Sequence, residues 1–291
     1  MLYDDRHNDV HRVQTTITAD DGRELAATWF EPTGPGVGAP VGAVLLAPAM
    51  ATPAAYYAAF ATWLASRGHR TLTFDLRGTE SRAAMKSETA DVLRWFGDMR
   101  DALGHVLADS EGLPVSYVGH SLGGQAVPFV AHDRVDRIIT IASGTGYWRL
   151  NAASIRWRAP VLWLGIAPLA TRVAGYYPGR SLRILDDVPA GVMRQWGRWC
   201  LHREYLGIDV PDAAERFAAV TTPMNVLSFT DDELMSEASI ADLHDRFVHA
   251  DQIRQRYTPT QLEVAKMGHH GFFRARHQEL WDELVLPYLA S

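Results

Sequence analysis

The chain has 291 residues, of which 47% are hydrophobic and 21% are charged, a composition typical of one globular domain with ample apolar material for a core. Its formal net charge of −6 argues against a nucleic-acid partner and against an anionic membrane surface, because both favour clustered lysines and arginines. The single cysteine, Cys200, excludes an intramolecular disulfide. A secretory signal begins with a basic segment followed by an apolar one, whereas the first residues of this chain include acidic side chains. We therefore expect a cytoplasmic protein.

Two segments with alternating polarity, 13–18 and 24–30, flank Asp20-Asp21-Gly22 and predict a β-hairpin. Short apolar segments then predict buried strands at 44–47, 71–74, 115–118, 138–142, 226–229 and 262–265. Because helical patterns separate most of these segments, we expect an α/β fold with a mostly parallel sheet flanked by helices. The apolar spacing over 277–289 predicts a closing helix.

An uncharged stretch from Val37 to Ser66 is long enough in principle to cross a bilayer. Three prolines interrupt it, at Pro40, Pro48 and Pro53, and its pattern changes from strand-like to helix-like. The stretch therefore predicts a buried strand, a loop and a helix, and no integral membrane segment.

The alternation of strands and helices stops for about 80 residues between Ser143 and Met224, which is too long for a simple connection. This region contains five of the nine tryptophans: Trp148, Trp157, Trp163, Trp196 and Trp199. Apolar residues at helical spacing predict a helical cap inserted after the sixth strand. We expect most of the tryptophans to pack the cap onto the core, and the others are candidates for lining an acyl or aromatic pocket.

The cap divides the chain into three parts. The predicted parts are a first core part, residues 1–146, the cap insertion, residues 147–215, and a second core part, residues 216–291. No internal repeat or low-complexity tract suggests a further domain.

Residues 117–125 read Tyr-Val-Gly-His-Ser-Leu-Gly-Gly-Gln, a G-x-S-x-G pentapeptide between a strand-like and a helix-like segment. This context predicts a nucleophile elbow, a turn so tight that Ser121 has a strained backbone conformation. A Cβ atom at Gly119 or Gly123 would collide with the neighbouring strand and helix. Ser121 is therefore the candidate nucleophile, and the backbone N–H of Leu122 is a candidate oxyanion donor.

A serine nucleophile needs an imidazole that accepts its proton and a carboxylate that orients the imidazole. Both follow along the chain in the order Ser, Asp, His: a predicted strand runs into Asp231 and Asp232, and a glycine-flanked loop carries His269 and His270. These residue types predict a serine hydrolase that acts on a carboxylic ester or related acyl bond through an acyl-enzyme.

The motifs resemble those of the α/β-hydrolases, closest to predicted hydrolases near the serine aminopeptidases and monoacylglycerol lipases. The resemblance covers nearly the whole chain, and its residues are Gly119–Gln125, Phe74–Gly78, Asp231-Asp232 and Gly268-His269. It implies the α/β-hydrolase fold. In the family, the acid typically lies four residues before a proline or a small residue. The resemblance therefore implies Asp232 as the acid, because Ser236 follows it at that interval, and leaves Asp231 as the alternative. The family histidine follows a glycine, which favours His269 over His270.

The chain departs from the family pattern in two places. Where the family has a His-Gly pair after the third strand, this chain reads Ala47-Pro48-Ala49-Met50-Ala51. The helix that follows this loop resembles the family's helix, and counting back from it places Met50 as the second oxyanion donor, with Ala49 as the alternative. Only a backbone N–H is needed at that position. Glu80 stands where the family loop has glycine, so we expect that loop to have a different shape.

The predicted reaction needs no cofactor. His269 and His270 have no further ligands at metal-binding spacing, so no metal site is predicted, and His120 is expected to be structural. The expected substrate is a small-molecule acyl compound or ester, as for an esterase or lipase. Two alternatives use the same pocket: an acyltransferase that employs the same serine, and a hydrolase-like protein that binds a ligand without turnover. The sequence specifies neither acyl chain length nor oligomeric state.

Overall fold

The computed structural model describes residues 10–33 and 39–290. The acidic start used for the cytoplasmic prediction and residues 34–38 lie outside the described residues. Within them the strands are β1 (Val10–Thr18), β2 (Glu24–Pro32), β3 (Gly42–Ala47), β4 (His69–Phe74), β5 (Val115–His120), β6 (Arg137–Ile141), β7 (Tyr176–Tyr177), β8 (Val188–Pro189), β9 (Met224–Phe229) and β10 (Gln252–Tyr257).

Eight strands form one sheet in the order β1-β2-β4-β3-β5-β6-β9-β10. The β1–β2 and β2–β4 pairs are antiparallel and the other pairs are parallel, which confirms the predicted hairpin and the mostly parallel sheet. Strands β7 and β8 form a separate antiparallel pair.

The α-helices of the described residues are α1 (Ala58–Ser66), α2 (Arg82–Ser87), α3 (Val92–Asp109), α4 (Leu122–Gln125), α5 (Ala153–Arg156), α6 (Ala159–Val161), α7 (Ala167–Ala174), α8 (Gly179–Leu182), α9 (Ala190–Leu201), α10 (Ala213–Ala218), α11 (Glu237–His244) and α12 (Trp281–Leu284). A π-helical turn, Leu162–Ile166, joins α6 to α7. In the part of the chain that the structure describes, every helix is too short or too polar to cross a membrane.

Apolar clusters cover both faces of the sheet. On β3, Leu45 belongs to the cluster that contains α3, while Val44 and Leu46 belong to the cluster that contains α1 and Trp281. Successive side chains of a strand point to opposite faces, so a strand covered on both sides needs apolar residues at every position. This explains why the central strands appear in the sequence as continuous apolar segments.

One predicted strand is wrong. Residues 262–265 lie in turns, and the last strand is instead β10, Gln252–Tyr257, at the edge of the sheet. An edge strand with exposed positions has no need of a continuous apolar segment, so its polar sequence gave no strand signal. Leu262 and Val264 are apolar because they pack on the core from a loop, in which Glu263 has a φ of 54°.

The single closing helix predicted over 277–289 is also wrong. The structure has a 3₁₀ segment, Ala275–Leu280, then α12, Trp281–Leu284, and a final 3₁₀ turn, Leu286–Tyr288. Pro287 in that last turn has no N–H to donate, so a continuous α-helix is interrupted there.

The segment between β6 and β9 contains helices α5 to α10 and the small β7–β8 pair. Four of its five tryptophans pack on the core as expected, with Trp163 and Trp199 buried and Trp148 and Trp196 partly buried. Trp157 is exposed. The division of the chain into a first core part, 1–146, a cap insertion, 147–215, and a second core part, 216–291, stays a prediction.

Candidate active site

The chain turns sharply between β5 and α4. Ser121 occupies this turn with a φ of 51° and a ψ of −107°, a conformation that non-glycine residues rarely adopt. Its N–H donates to the Ile141 carbonyl of the neighbouring strand, at 3.0 Å, and its own carbonyl accepts from the Gly124 N–H at 3.1 Å. Strain of this kind persists only where the surroundings fix it.

The glycines on either side of Ser121 have no room for a side chain. A Cβ atom at Gly119 would lie 2.6 Å from the Gly124 nitrogen, and one at Gly123 would lie 2.3 Å from the Ala47 carbonyl oxygen. Both distances are far below van der Waals contact, which confirms the steric requirement predicted for the elbow. The Gly123 contact also places the end of β3 directly against the elbow.

The structure brings Ser121, His269 and Asp232 together. The His269 Nε2 lies 2.9 Å from the Ser121 Oγ, and its Nδ1 lies 2.8 Å from the Asp232 Oδ2. All three side chains are buried, with relative exposures of 6% for the serine, 2% for the histidine and 5% for the aspartate. In the tautomer with its proton on Nδ1, the imidazole donates to the carboxylate and accepts from the hydroxyl.

Three consecutive acids hold the histidine loop. The Asp232 Oδ1 accepts the N–H groups of Leu234 and Met235, each at 2.8 Å, so its other oxygen is left for the imidazole. The Asp231 Oδ2 accepts the Met267 N–H at 2.9 Å, and the Glu233 Oε2 accepts the His269 N–H at 3.1 Å. The Glu233 contact was not predicted, although the run of three carboxylates was a signal for it.

Of the two candidate acids, Asp232 is the one within hydrogen-bond distance of the imidazole. Asp231 lies next to it but bonds the backbone of the histidine loop. Of the two histidines, His269 faces the serine. Burial and, next, the charge of His269 lower the pKa of His270 to about 4, so His270 is neutral at neutral pH.

The two candidate N–H groups after β3 differ in their hydrogen bonding. The Ala49 N–H donates to the Tyr57 hydroxyl at 2.8 Å and is therefore occupied. Within residues 10–33 and 39–290, the Met50 N–H has no hydrogen-bond partner. Leu122 begins α4, where the first N–H groups of a helix have no intrahelical acceptor.

A buried chain of hydrogen bonds links this segment to the histidine loop. The Tyr57 hydroxyl accepts from Ala49 and lies 2.8 Å from the His120 Nδ1, and the His120 Nε2 lies 3.1 Å from the His269 carbonyl oxygen. Burial, followed by the charges of His269 and His270, lowers the pKa of His120 well below its ordinary value. A neutral His120 with its proton on Nε2 satisfies every donor and acceptor in this chain.

The chain is similar to known proteins over nearly its whole length. Residues 38–173 match the family model described as serine aminopeptidase, S33. Among curated protein sequences, none is significantly similar to this chain. Similar solved structures include a soluble variant of monoglyceride lipase from Saccharomyces cerevisiae, with a TM-score of 0.64 at 14% identity over 96% of this chain and 97% of that one. The chain has the α/β-hydrolase fold.

Two further solved structures are similar to this chain. Alpha/beta hydrolase domain-containing protein 10 from mouse has a TM-score of 0.58 at 18% identity, covering 94% of this chain and 99% of that one. The Pyrococcus furiosus esterase PF2001 has a TM-score of 0.58 at 11% identity, covering 99% and 95%. These likenesses confirm the predicted fold, and the family model confirms the resemblance to the serine aminopeptidase branch.

Hydrogen bonds connect the segment between β6 and β9 to the residues around the site. Tyr205 donates to the Gln125 side chain at the end of α4, at 3.0 Å. The Ala152 N–H donates to the Leu234 carbonyl at 3.2 Å, beside the loop that carries Asp232. Both α4 and the loop that carries Asp232 are therefore connected to this segment. The sequence gave no signal for either contact, because each joins residues far apart in the chain.

Proposed function

We propose that this α/β hydrolase is a serine hydrolase that cleaves a carboxylic ester or a related acyl bond. One observation carries the proposal: the His269 imidazole lies within hydrogen-bond distance of both the Ser121 Oγ, at 2.9 Å, and the Asp232 Oδ2, at 2.8 Å. A buried serine paired in this way with an imidazole and a carboxylate is an activated nucleophile.

In the proposed mechanism, the His269 Nε2 takes the proton of Ser121 while the Oγ attacks the carbonyl carbon of the substrate. Asp232 stabilises the resulting imidazolium. The tetrahedral intermediate collapses, the alcohol leaves with the proton from His269, and an acyl group remains on Ser121. Water deprotonated by His269 then attacks the acyl-enzyme and releases the carboxylic acid.

The N–H groups of Leu122 and Met50 are proposed to bind the oxyanion of each tetrahedral intermediate. The Ala49 N–H already donates to the Tyr57 hydroxyl, which supports the Met50 N–H as the oxyanion donor from the segment after β3. One such donor is worth roughly 3–4 kcal/mol of transition-state stabilisation. Residues Ser121, His269, Asp232, Leu122 and Met50 would thus carry the reaction without a cofactor.

Similar solved structures support an ester substrate, since they include a monoglyceride lipase, an esterase and an esterase domain. The same set contains a puromycin hydrolase and a dienelactone hydrolase, so the fold alone does not fix the acyl compound. We propose a small-molecule ester. A panel of esters graded by acyl length, assayed for both free acid and transfer to an added alcohol, would define the acyl chain and separate hydrolysis from acyl transfer.

The proposal is tested by labelling with a fluorophosphonate, which reacts with an activated serine. The wild-type protein should label and Ser121→Ala should not. Ser143→Ala is the matched control, because Ser143 is also buried and packs against the elbow at Gly124. It should label like the wild type. Equal labelling of Ser121→Ala and wild type would reject the nucleophile, and a labelled protein inactive on all esters would reject the substrate class.

A further inference from the structure

The negative net charge of the chain conceals a strongly basic segment. From Arg149 to Leu185 the sequence has no aspartate or glutamate, although the whole chain has 34 acidic and 28 basic residues. The same segment has six arginines: Arg149, Arg156, Arg158, Arg172, Arg180 and Arg183. Net charge alone therefore gave a misleading picture of the surfaces that this protein can bind, because local charge decides attraction at short range.

The central part of this segment, which we call the cap face, is helical from Ala153 to Ala174, through α5, α6, the π-helical turn and α7. Its inner side packs on the core through side chains that recur every four residues: Ala159, Trp163, Ala167 and Thr171. An α-helix would rotate such a pattern gradually around its axis, but the π-helical turn Leu162–Ile166 is wider and keeps the pattern on one side.

The outer side of the cap face is apolar and exposed. Its large side chains and their relative exposures are Trp157 at 72%, Val161 at 62%, Leu164 at 70%, Leu169 at 66% and Val173 at 80%. Exposed apolar side chains scattered singly are ordinary, but a row of five along one helical segment indicates an interaction surface.

Arginines lie at both ends of this apolar row. Arg156 and Arg158 flank Trp157, and Arg172 precedes Val173. Among residues 10–33 and 39–290, no carboxylate lies within ion-pair distance of these three guanidinium groups. Arg156 instead lies over the Trp157 ring, 5.6 Å from its centroid. The positive charge is therefore not neutralised within the described protein.

We propose that the cap face binds the surface of an anionic lipid bilayer. A helix with exposed Trp, Leu and Val on one side and arginines at its margins lies in the plane of the interface, with the apolar side chains among the acyl chains and the cations at the phosphates. The anionic headgroup is the complement of a surface that has arginines and no acids. The inner side stays packed on α9, where Trp163 and Trp196 have ring centroids 4.9 Å apart, so docking requires no unfolding of the segment.

Vesicle sedimentation tests this proposal with the intact protein. Wild-type protein should sediment with phosphatidylcholine vesicles that contain phosphatidylglycerol, and much less with phosphatidylcholine alone or at high salt. The triple variant Val161→Ser, Leu164→Ser, Val173→Ser should bind at least about tenfold more weakly. The matched control is Val248→Ser with Ile253→Ser, because those side chains are 64% and 51% exposed away from the cap face.

A second variant separates charge from apolar contact. Arg156→Gln, Arg158→Gln, Arg172→Gln should remove the preference for anionic vesicles, whereas Arg82→Gln with Arg134→Gln should keep it. Unchanged circular dichroism and fluorophosphonate labelling would show that each variant is folded, independently of any ester activity. Two results would overturn the proposal: wild-type protein that binds neither vesicle, or protein dimers that dissociate in the triple apolar variant without any vesicle binding.

Discussion

The elbow and the cap face differ in how their residues are held. Around Ser121 the backbone is packed so closely that a Cβ atom at Gly123 would lie 2.3 Å from the Ala47 oxygen, and the Ser121, His269 and Asp232 side chains are hydrogen-bonded to one another. The cap face is packed on its inner side, and its outer side combines exposed apolar groups with arginines that have no carboxylate partner among the described residues.

This difference reflects what each region has to do. The turn at Ser121, with a φ of 51°, stores strain of about 1–3 kcal/mol, and only surroundings that leave no alternative can hold it. A surface that binds a partner has the opposite requirement, since its groups must be free to exchange water for new contacts. Substitutions should therefore have large effects at the elbow and small effects on folding in the cap face.

The largest effect is expected from the acid that orients His269. Asp232→Asn should lower kcat by about 10⁴-fold, because the amide favours the wrong tautomer of the imidazole. The adjacent Asp231→Asn is the matched control and should cost less than about tenfold, since Asp231 bonds the Met267 N–H and not the imidazole. Steady-state kinetics on an ester substrate measure both, and equal losses would show that the two acids share the role.

Next comes a comparison of two glycines. Gly123→Ala should destabilise the protein by about 3 kcal/mol or more, because its Cβ has no space. Gly165→Ala, within the cap face, meets no atom within 4 Å and should change the free energy of unfolding by no more than about 1 kcal/mol. Urea denaturation gives both values. Similar losses at the two positions would remove the contrast between the regions.

The core should also respond to acid. His244 is buried between Thr140 and the Ile240 carbonyl, and burial lowers its pKa to about 4. The unfolded chain, with a histidine pKa of about 6.5, binds the proton more readily, so stability falls as pH falls between these values. Relative to His244→Gln, wild-type protein should lose about 2 kcal/mol more between pH 7 and pH 5.

Urea unfolding at both pH values measures this difference. His202→Gln is the control, because His202 is exposed after α9, and it should keep the wild-type pH dependence. If His244→Gln and wild type respond to pH in parallel, the histidine is not held neutral by burial.

The smallest of these effects concerns the chain of hydrogen bonds behind the site. Tyr57→Phe removes the acceptor of the Ala49 N–H and the partner of His120, and should lower kcat by about tenfold through the position of the neighbouring Met50 N–H. The control is Tyr177→Phe, whose hydroxyl donates to the Ile184 carbonyl at 3.1 Å, far from the elbow in sequence. It should cost about 1 kcal/mol of stability and leave kcat unchanged. An unchanged kcat in Tyr57→Phe would restrict that network to a structural role.

Much of the fold could be predicted because its signals are local. Strands covered on both faces appear as continuous apolar segments, and five of the six predicted in this way are present. The elbow could be predicted from five residues, since its steric requirement acts within one turn at Gly119 and Gly123. The edge strand Gln252–Tyr257 could not, because pairing on one side leaves its sequence free to be polar.

The sequence by itself determined which residue types are available and in what order: a serine between glycines, a pair of acids after a strand, a histidine on a later loop. Only the tertiary structure decided between neighbours. Asp232 and Asp231 have the same chemistry, and Ala49 and Met50 offer the same N–H, so the roles proposed for them depend on distances of about 3 Å set by distant contacts such as Tyr57 to Ala49. Such distances follow from packing between segments far apart in the chain, which no local pattern specifies.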